Sequence, residues 1–334
     1  TGMHVLVIED MVPPLQDRRK QAQVGIVARI EDQGSLSNDR VRVIFQDSRG
    51  DYWVGTDGGG LNRFDSKSGK FSHFRHDGEN PESLPSDTVL AIYEDSKGKL
   101  WIGTDNGLAR IGHAQKKFAV YRHDSADAGS LSNNQVRSIY EDRRGRFWVG
   151  TYEGGLNLFD PQSNSFQRFQ HDPLDPRSLS HDRVRDIFQD REGTLWVATD
   201  KGLNEWRPEK GGFVHYRHDP THPSSISDDR LTRIFQDQGD VLWVGTFNGL
   251  NKWNYVSDAF DYLRVEQGSS SELSGNIITV LQEGNPREFL AFMRDRIAHD
   301  MEVLRQTLAG AEQMGLPPSI IPTVGQMVLG FILP

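Results

Sequence analysis

Apolar residues along most of this chain fall into short runs of strand length, each closed by a polar turn. One group reads VRSIYED (136–142), RFWVGT (146–151), GLNLFD (155–160) and SFQRFQHD (165–172). The runs are rich in β-branched and aromatic residues, and Asp, Gly, Asn or Pro follows each, which is the composition of strands and the turns that end them. The group then repeats. SLSNDRVRVIFQDSRGDYWVGT at 35–56 returns as SLPSDTVLAIYEDSKGKLWIGT, SLSNNQVRSIYEDRRGRFWVGT, SLSHDRVRDIFQDREGTLWVAT and SISDDRLTRIFQDQGDVLWVGT. The marker tryptophans Trp53, Trp101, Trp148, Trp196 and Trp243 stand alternately 48 and 47 residues apart, and a sixth copy begins at ELSGNIITVLQEG (272–284) without its tryptophan. Four strands per period of this length make a propeller blade and are too strand-rich for a helical solenoid. The pattern predicts an all-β fold over 35–284, a β-propeller of four-stranded blades with five full blades and a partial sixth.

Two features inside the unit look like chemistry and read better as frame. The stretch Gly58-Gly59-Gly60 resembles a phosphate-cradling loop, yet the five units read TDGGGLN, TDNGLAR, TYEGGLN, TDKGLNE and TFNGLNK, so only the glycine before the leucine recurs. No helix follows that could hold a phosphate, and a hairpin turn needs positive φ at such a position. The five tryptophans, equivalent by rotation, are expected to fill the gaps between neighbouring blades as structural residues.

Outside the repeats the pattern changes. Residues 1–34 form an N-terminal segment in which 24–32 (VGIVARIED) sits where other units carry an outer strand, so it is expected to pair with 276–282 and help close the ring. After Gly284 a run with Asn285 as N-cap and Pro286 at the first helical position places Phe289, Met293, Ile297, Met301, Leu304 and Leu308 at helical spacing. The segment 285–334 is therefore expected to be an amphipathic α-helical tail ending in apolar sequence. Its partner is expected to be the propeller, a second copy of the chain as a homodimer, or a membrane surface. The last apolar stretch, 320–334, is shorter than the roughly 20 residues of a spanning helix. A membrane connection is expected only through sequence at or beyond the C-terminus.

Composition narrows the function classes. The 334 residues are 36% hydrophobic, enough for a core, and 38 basic against 47 acidic side chains give a net charge of −9. That field disfavours nucleic acid as a partner. The absence of cysteine removes disulfides, thiolate metal sites and cysteine nucleophiles. The opening TGMHVLVIEDMVPP shows no basic leader, long apolar core and small-residue cleavage site, so no signal peptide is visible there.

Candidate chemistry is sparse. His76-Asp77, His123-Asp124, His171-Asp172 and His218-Asp219 recur once per blade at the end of the outer strand, so they are carried around the rim and cannot converge on one ion. His215, His218 and His222 are spaced for opposite faces of a strand. The expectation is no metal, no cofactor and no catalytic residue in this segment. Recognition is expected where the repeats disagree in loops on a rigid frame. The turn entering each innermost strand supplies Asp39, Arg40, Asp87, Asn134, Gln135, Asp182, Arg183, Asp229 and Arg230 at one mouth of the channel. A small polar or carbohydrate-like ligand held there by hydrogen bonds is the expected partner.

The unit resembles the two-component regulator propeller repeat, as in DRRGRFWVGTYEGGLNLFD (142–160) and DREGTLWVATDKGLNEW (190–206), and the likeness covers about 35–283. The resemblance implies the extracytoplasmic sensor of a hybrid histidine kinase or diguanylate cyclase, hence a non-enzymatic, periplasmic ligand-sensing module in bacteria. Family members commonly build wheels of seven blades, and no kinase, cyclase or receiver domain is recognisable in this chain. The alternatives are a protein interaction scaffold, which needs a broad apolar patch, and a propeller lyase, which needs a histidine and carboxylate cluster at the channel.

Overall fold

A computed structural model describes residues 4–8, 24–28, 35–65, 69–112, 117–254 and 259–263. They lie in one compact unit spanning 1–9 and 22–281, while the second unit, 10–21 and 282–334, lies outside the described residues. The partial sixth blade and the helical tail therefore fall outside as well. At the N-terminus β1 (His4–Ile8) and β2 (Val24–Ala28) form an antiparallel pair. β2 is the described part of the expected ring-closing segment, and its partner is β1; residues 276–282 are outside the described set.

Five antiparallel four-stranded sheets follow, arranged as propeller blades. Blade I is β3 (Val41–Gln46), β4 (Tyr52–Thr56), β5 (Leu61–Asp65) and β6 (Lys70–Phe74). Blade II is β7 (Val89–Glu94), β8 (Lys99–Thr104), β9 (Gly107–Gly112) and β10 (Ala119–Tyr121). Blade III is β11 (Val136–Glu141), β12 (Phe147–Thr151), β13 (Leu156–Asp160) and β14 (Ser165–Phe169). Blade IV is β15 (Val184–Gln189), β16 (Leu195–Thr199), β17 (Gly202–Arg207) and β18 (Gly212–Tyr216), and blade V is β19 (Leu231–Gln236), β20 (Leu242–Thr246), β21 (Gly249–Asn254) and β22 (Ala259–Leu263). The strands β3, β7, β11, β15 and β19 pack against one another in that order and form the inner edge.

The core lies between blades. Trp53 shares a buried cluster with Val89, Ile92 and Leu100 of blade II, and Trp101 one with Val136, Ile139 and Phe147 of blade III. Trp148 and Trp196 do the same with blades IV and V. Trp243, in blade V, is partly buried. Each indole N–H donates to an aspartate six residues earlier, from Trp53 to Asp47 at 2.9 Å through Trp148 to Asp142 at 3.0 Å and Trp243 to Asp237 at 2.8 Å. The other oxygen of Asp142 accepts the backbone N–H groups of Arg144 and Arg146. One buried carboxylate thus closes the hairpin between the first two strands and fixes the ring.

The glycine before the leucine adopts positive φ in every blade, for example 79° at Gly60 and 80° at Gly155. A Cβ on Gly155 would stand 2.3 Å from the Phe169 carbonyl oxygen, so the turn excludes a side chain as well as requiring αL backbone.

Candidate ligand-binding site at the channel mouth

Each innermost strand begins with a β-bulge. The register with the second strand slips between Val41 and Val43, Val89 and Ala91, Val136 and Ser138, Val184 and Asp186, and Leu231 and Arg233. The extra residue is Arg42, Leu90, Arg137, Arg185 or Thr232. A bulge leaves its residue unpaired in the ladder and re-aims its side chain. In blades I, III and IV the arginine at the bulge lies beside the residue that follows the buried threonine, Asp57, Tyr152 or Asp200.

The pairings are specific. Arg42 donates to Asp57 at 2.7 Å with Arg40 at 3.6 Å from the same carboxylate, and Arg42 in particular holds the Asp57 pKa below its ordinary value. Arg185 bonds Asp200 through both Nε (2.6 Å) and Nη2 (3.0 Å), a bidentate pair. Arg183 bridges Glu153 and Asp200. Around Tyr152 three guanidiniums gather: Arg137 at 4.5 Å, Arg183 at 4.6 Å and Arg185 at 6.0 Å from the ring centroid. Arg230 lies 4.8 Å from the Phe247 ring and pairs with Asp228.

The turn residues expected at the mouth divide into two groups. In Asp87, Asn134, Asp182 and Asp229 one side-chain oxygen accepts the backbone N–H of His76, His123, His171 or His218, at 2.6–2.8 Å. Their backbone carbonyls accept N–H groups from the glycine turn of the preceding blade, such as Gly155 N to Asp182 O at 2.8 Å. This is an inter-blade latch. Arg40, Arg183 and Arg230 belong to the charged cluster just described, Gln135 Oε1 accepts a long bond from Arg137 (3.4 Å), and Asp39 is exposed. Arg42, Arg137, Arg185 and Tyr152 lie outside the expected set, because they stand within or directly after repeated strands, where recurrence points to frame. The signal was present: the bulge position reads Arg, Leu, Arg, Arg, Thr across the blades, and the position after the threonine reads Asp, Asp, Tyr, Asp, Phe.

The recurrent histidines are structural. His76, His123, His171 and His218 bond through Nδ1 to the carbonyls of Leu84, Leu131, Leu179 and Ile226, each at 2.8 Å. His215 Nε2 meets Ser178 O at 2.7 Å, and no group of metal-ligating side chains occurs among the described residues. A groove of about 890 Å³ runs between blades II and III, lined by Trp101, Arg110, Lys99, Lys117 and Phe118. Its aromatic wall is blade packing, Lys117 pairs with Glu82 and Arg110 lies over the Trp101 ring.

Comparisons with known proteins agree with this architecture. The two component regulator propeller model matches residues 35–58, 83–106, 130–153 and 178–201. No curated protein matches the chain significantly. Among solved structures, the extracellular domain assigned to the hybrid two component system BT3049 of B. thetaiotaomicron is 24% identical with a TM-score of 0.63, over 76% of this chain and 33% of that one. An extracellular domain assigned to the one component system BT4673 of the same organism is 24% identical with a TM-score of 0.56, over 68% and 31%. Virginiamycin B lyase from Staphylococcus aureus is 16% identical with a TM-score of 0.51, over 70% and 73%. The chain spans about a third of the two extracellular domains, and at these identities the likeness establishes the fold. With the matched motifs placed in successive blades around one inner edge, blades I to IV of this chain each carry a two component regulator propeller repeat.

Proposed function

We propose that this propeller is the ligand-sensing module of a bacterial signalling protein, acting outside the cytoplasm and without catalysis of its own, and that it binds a small polar or carbohydrate-like molecule at the channel mouth. The observation that carries this reading is the contrast within the blade. Tryptophan, aspartate hub, glycine turn and latch recur, while the bulge residue and its neighbour change from blade to blade, and Arg137, Arg183 and Arg185 come together around Tyr152. Differences held on a rigid frame are where a repeat protein carries specificity. The likeness to extracellular domains of two component and one component systems supports the location and the signalling role.

A ligand that binds only the folded state raises the melting temperature. In a thermal-shift screen of sugars, sugar acids and peptides, a rise that Arg185→Ala or Arg183→Ala abolishes supports the mouth as the site. A partner protein captured with no response to any small molecule favours a scaffold, and turnover of a ligand favours a lyase.

A further inference from the structure

The arginines at the mouth are not equivalent. Arg42 and Arg185 each have a carboxylate, and Arg183 has two. Arg137 has none among the described residues. Its Nε is buried without a hydrogen bond, and Nη2 reaches only the neutral Gln135 Oε1, at 3.4 Å. Its guanidinium carbon lies 4.5 Å from the centroid of the Tyr152 ring. Burial, then the like charges of Arg185 and Arg42, lower the Arg137 pKa from its ordinary value, with Tyr152 and the more distant Asp200 opposing them.

A partly buried cation without a direct ion pair is costly, and a core would not need one here. Blade II shows this, because Leu90 occupies the same bulge position and its sheet forms normally. Arg40, Arg42, Arg183 and Arg185 are paired to three carboxylates, Asp57, Glu153 and Asp200, and Arg137 stands beside them without an ion pair among the described residues.

We propose that the channel mouth recognises its ligand through an oxyanion, a carboxylate or sulfate group on a small polar molecule, which the Arg137 guanidinium receives while Tyr152 acts as its positioning residue. The inference rests on the reading of the mouth as a ligand site and specifies the chemistry of what enters. A planar guanidinium offers paired donors that match the geometry of such a group.

Isothermal titration of the full chain with D-glucuronate, glucose 6-sulfate and D-glucose tests it. The anionic probes should bind at least about tenfold more tightly than glucose, and raised salt should weaken them. Arg137→Leu, which copies blade II, should weaken the anions about tenfold to a hundredfold while leaving the melting temperature of the free protein unchanged or raised. Arg137→Gln serves as a second variant if the leucine disturbs folding. Tyr152→Phe should retain binding and Tyr152→Ala should lose part of it. The stronger of the two anionic probes tells carboxylate from sulfate. Glucose binding as tightly as glucuronate, or anion binding indifferent to both Arg137 variants, would overturn the oxyanion inference and leave the mouth as a ligand site. Silence from every probe at millimolar concentration would count against both.

Discussion

Blades II and III are copies of one unit, and they differ in two instructive ways. In blade III the buried Asn157 accepts the Ser132 backbone N–H through Oδ1 (2.9 Å) and donates through Nδ2 to Val149 O (3.1 Å) and Ser132 Oγ (2.8 Å). Asn62, Asn204 and Asn251 accept the N–H of Ser37, Ser180 and Ser227 in blades I, IV and V. In blade II the asparagine is Ala109, fully buried, and the serine is Pro85. Proline has no N–H to satisfy, so the absent acceptor leaves nothing unpaired at that backbone position. Two substitutions at a fixed offset cancel. The second difference is of another kind: blade III has Arg137 and Tyr152 where blade II has Leu90 and Asp105, and Arg137 makes no ion pair among the described residues. Compensated variation belongs to the frame, and variation without such a partner is what the proposed site is built from.

The largest effect expected from breaking the frame is at the indole. Trp148→Ala removes a fully buried ring between blades III and IV and leaves Asp142 Oδ2 with Arg146 Nε alone as side-chain donor, so urea unfolding should show a loss of about 3–5 kcal/mol. Asn157→Ala comes next. It strands the Ser132 N–H in the interior, at about 1–3 kcal/mol by the same measurement. Ala109→Asn should also destabilise, since blade II has no N–H at Pro85 to meet the new carbonyl and the residue is packed at 0% exposure.

A smaller effect concerns pH. Burial pushes the His215 pKa below its ordinary value of about 6.5, with Arg217 and His171 acting in the same direction and the bond to Ser178 O opposing them. The unfolded chain therefore protonates this group first as pH falls. Its contribution is complete above about pH 6.5 and is lost below that, down to the folded pKa. His73 and His181 are lowered too, chiefly by burial. Melting temperatures from pH 7.5 to 5 should decline, and His215→Gln should make the decline shallower without abolishing it. The smallest effect is at the surface: Lys117→Ala breaks an exposed pair with Glu82 and should change stability by no more than about 0.5 kcal/mol.

The strands and their order were legible because alternation and turn residues recur with a stride of 47 or 48, and a motif seen five times is hard to misread. The glycine of the second turn was legible for the same reason, as positive φ leaves few alternatives. The aspartate of the first turn was visible as a turn residue, yet its hold on an indole six positions later depends on the two side chains meeting across a hairpin. At the mouth, Arg183 and Arg230 were legible as polar loop residues. Arg137 was not, because a bulge displaces it from the face that strict alternation assigns, and bulges leave no mark in composition. The latch role of Asp182 was hidden as well, since its partners, His171 and Gly155, are 11 and 27 residues away.

The distinction between compensated and uncompensated differences can be tested by moving the blade II pair into blade III. Equilibrium unfolding of Ser132→Pro, Asn157→Ala and the double variant gives the coupling between the two positions. The account predicts that the double variant is more stable than Asn157→Ala alone by about 1 kcal/mol or more, because the stranded N–H has been removed. A double variant whose losses are simply additive would contradict it.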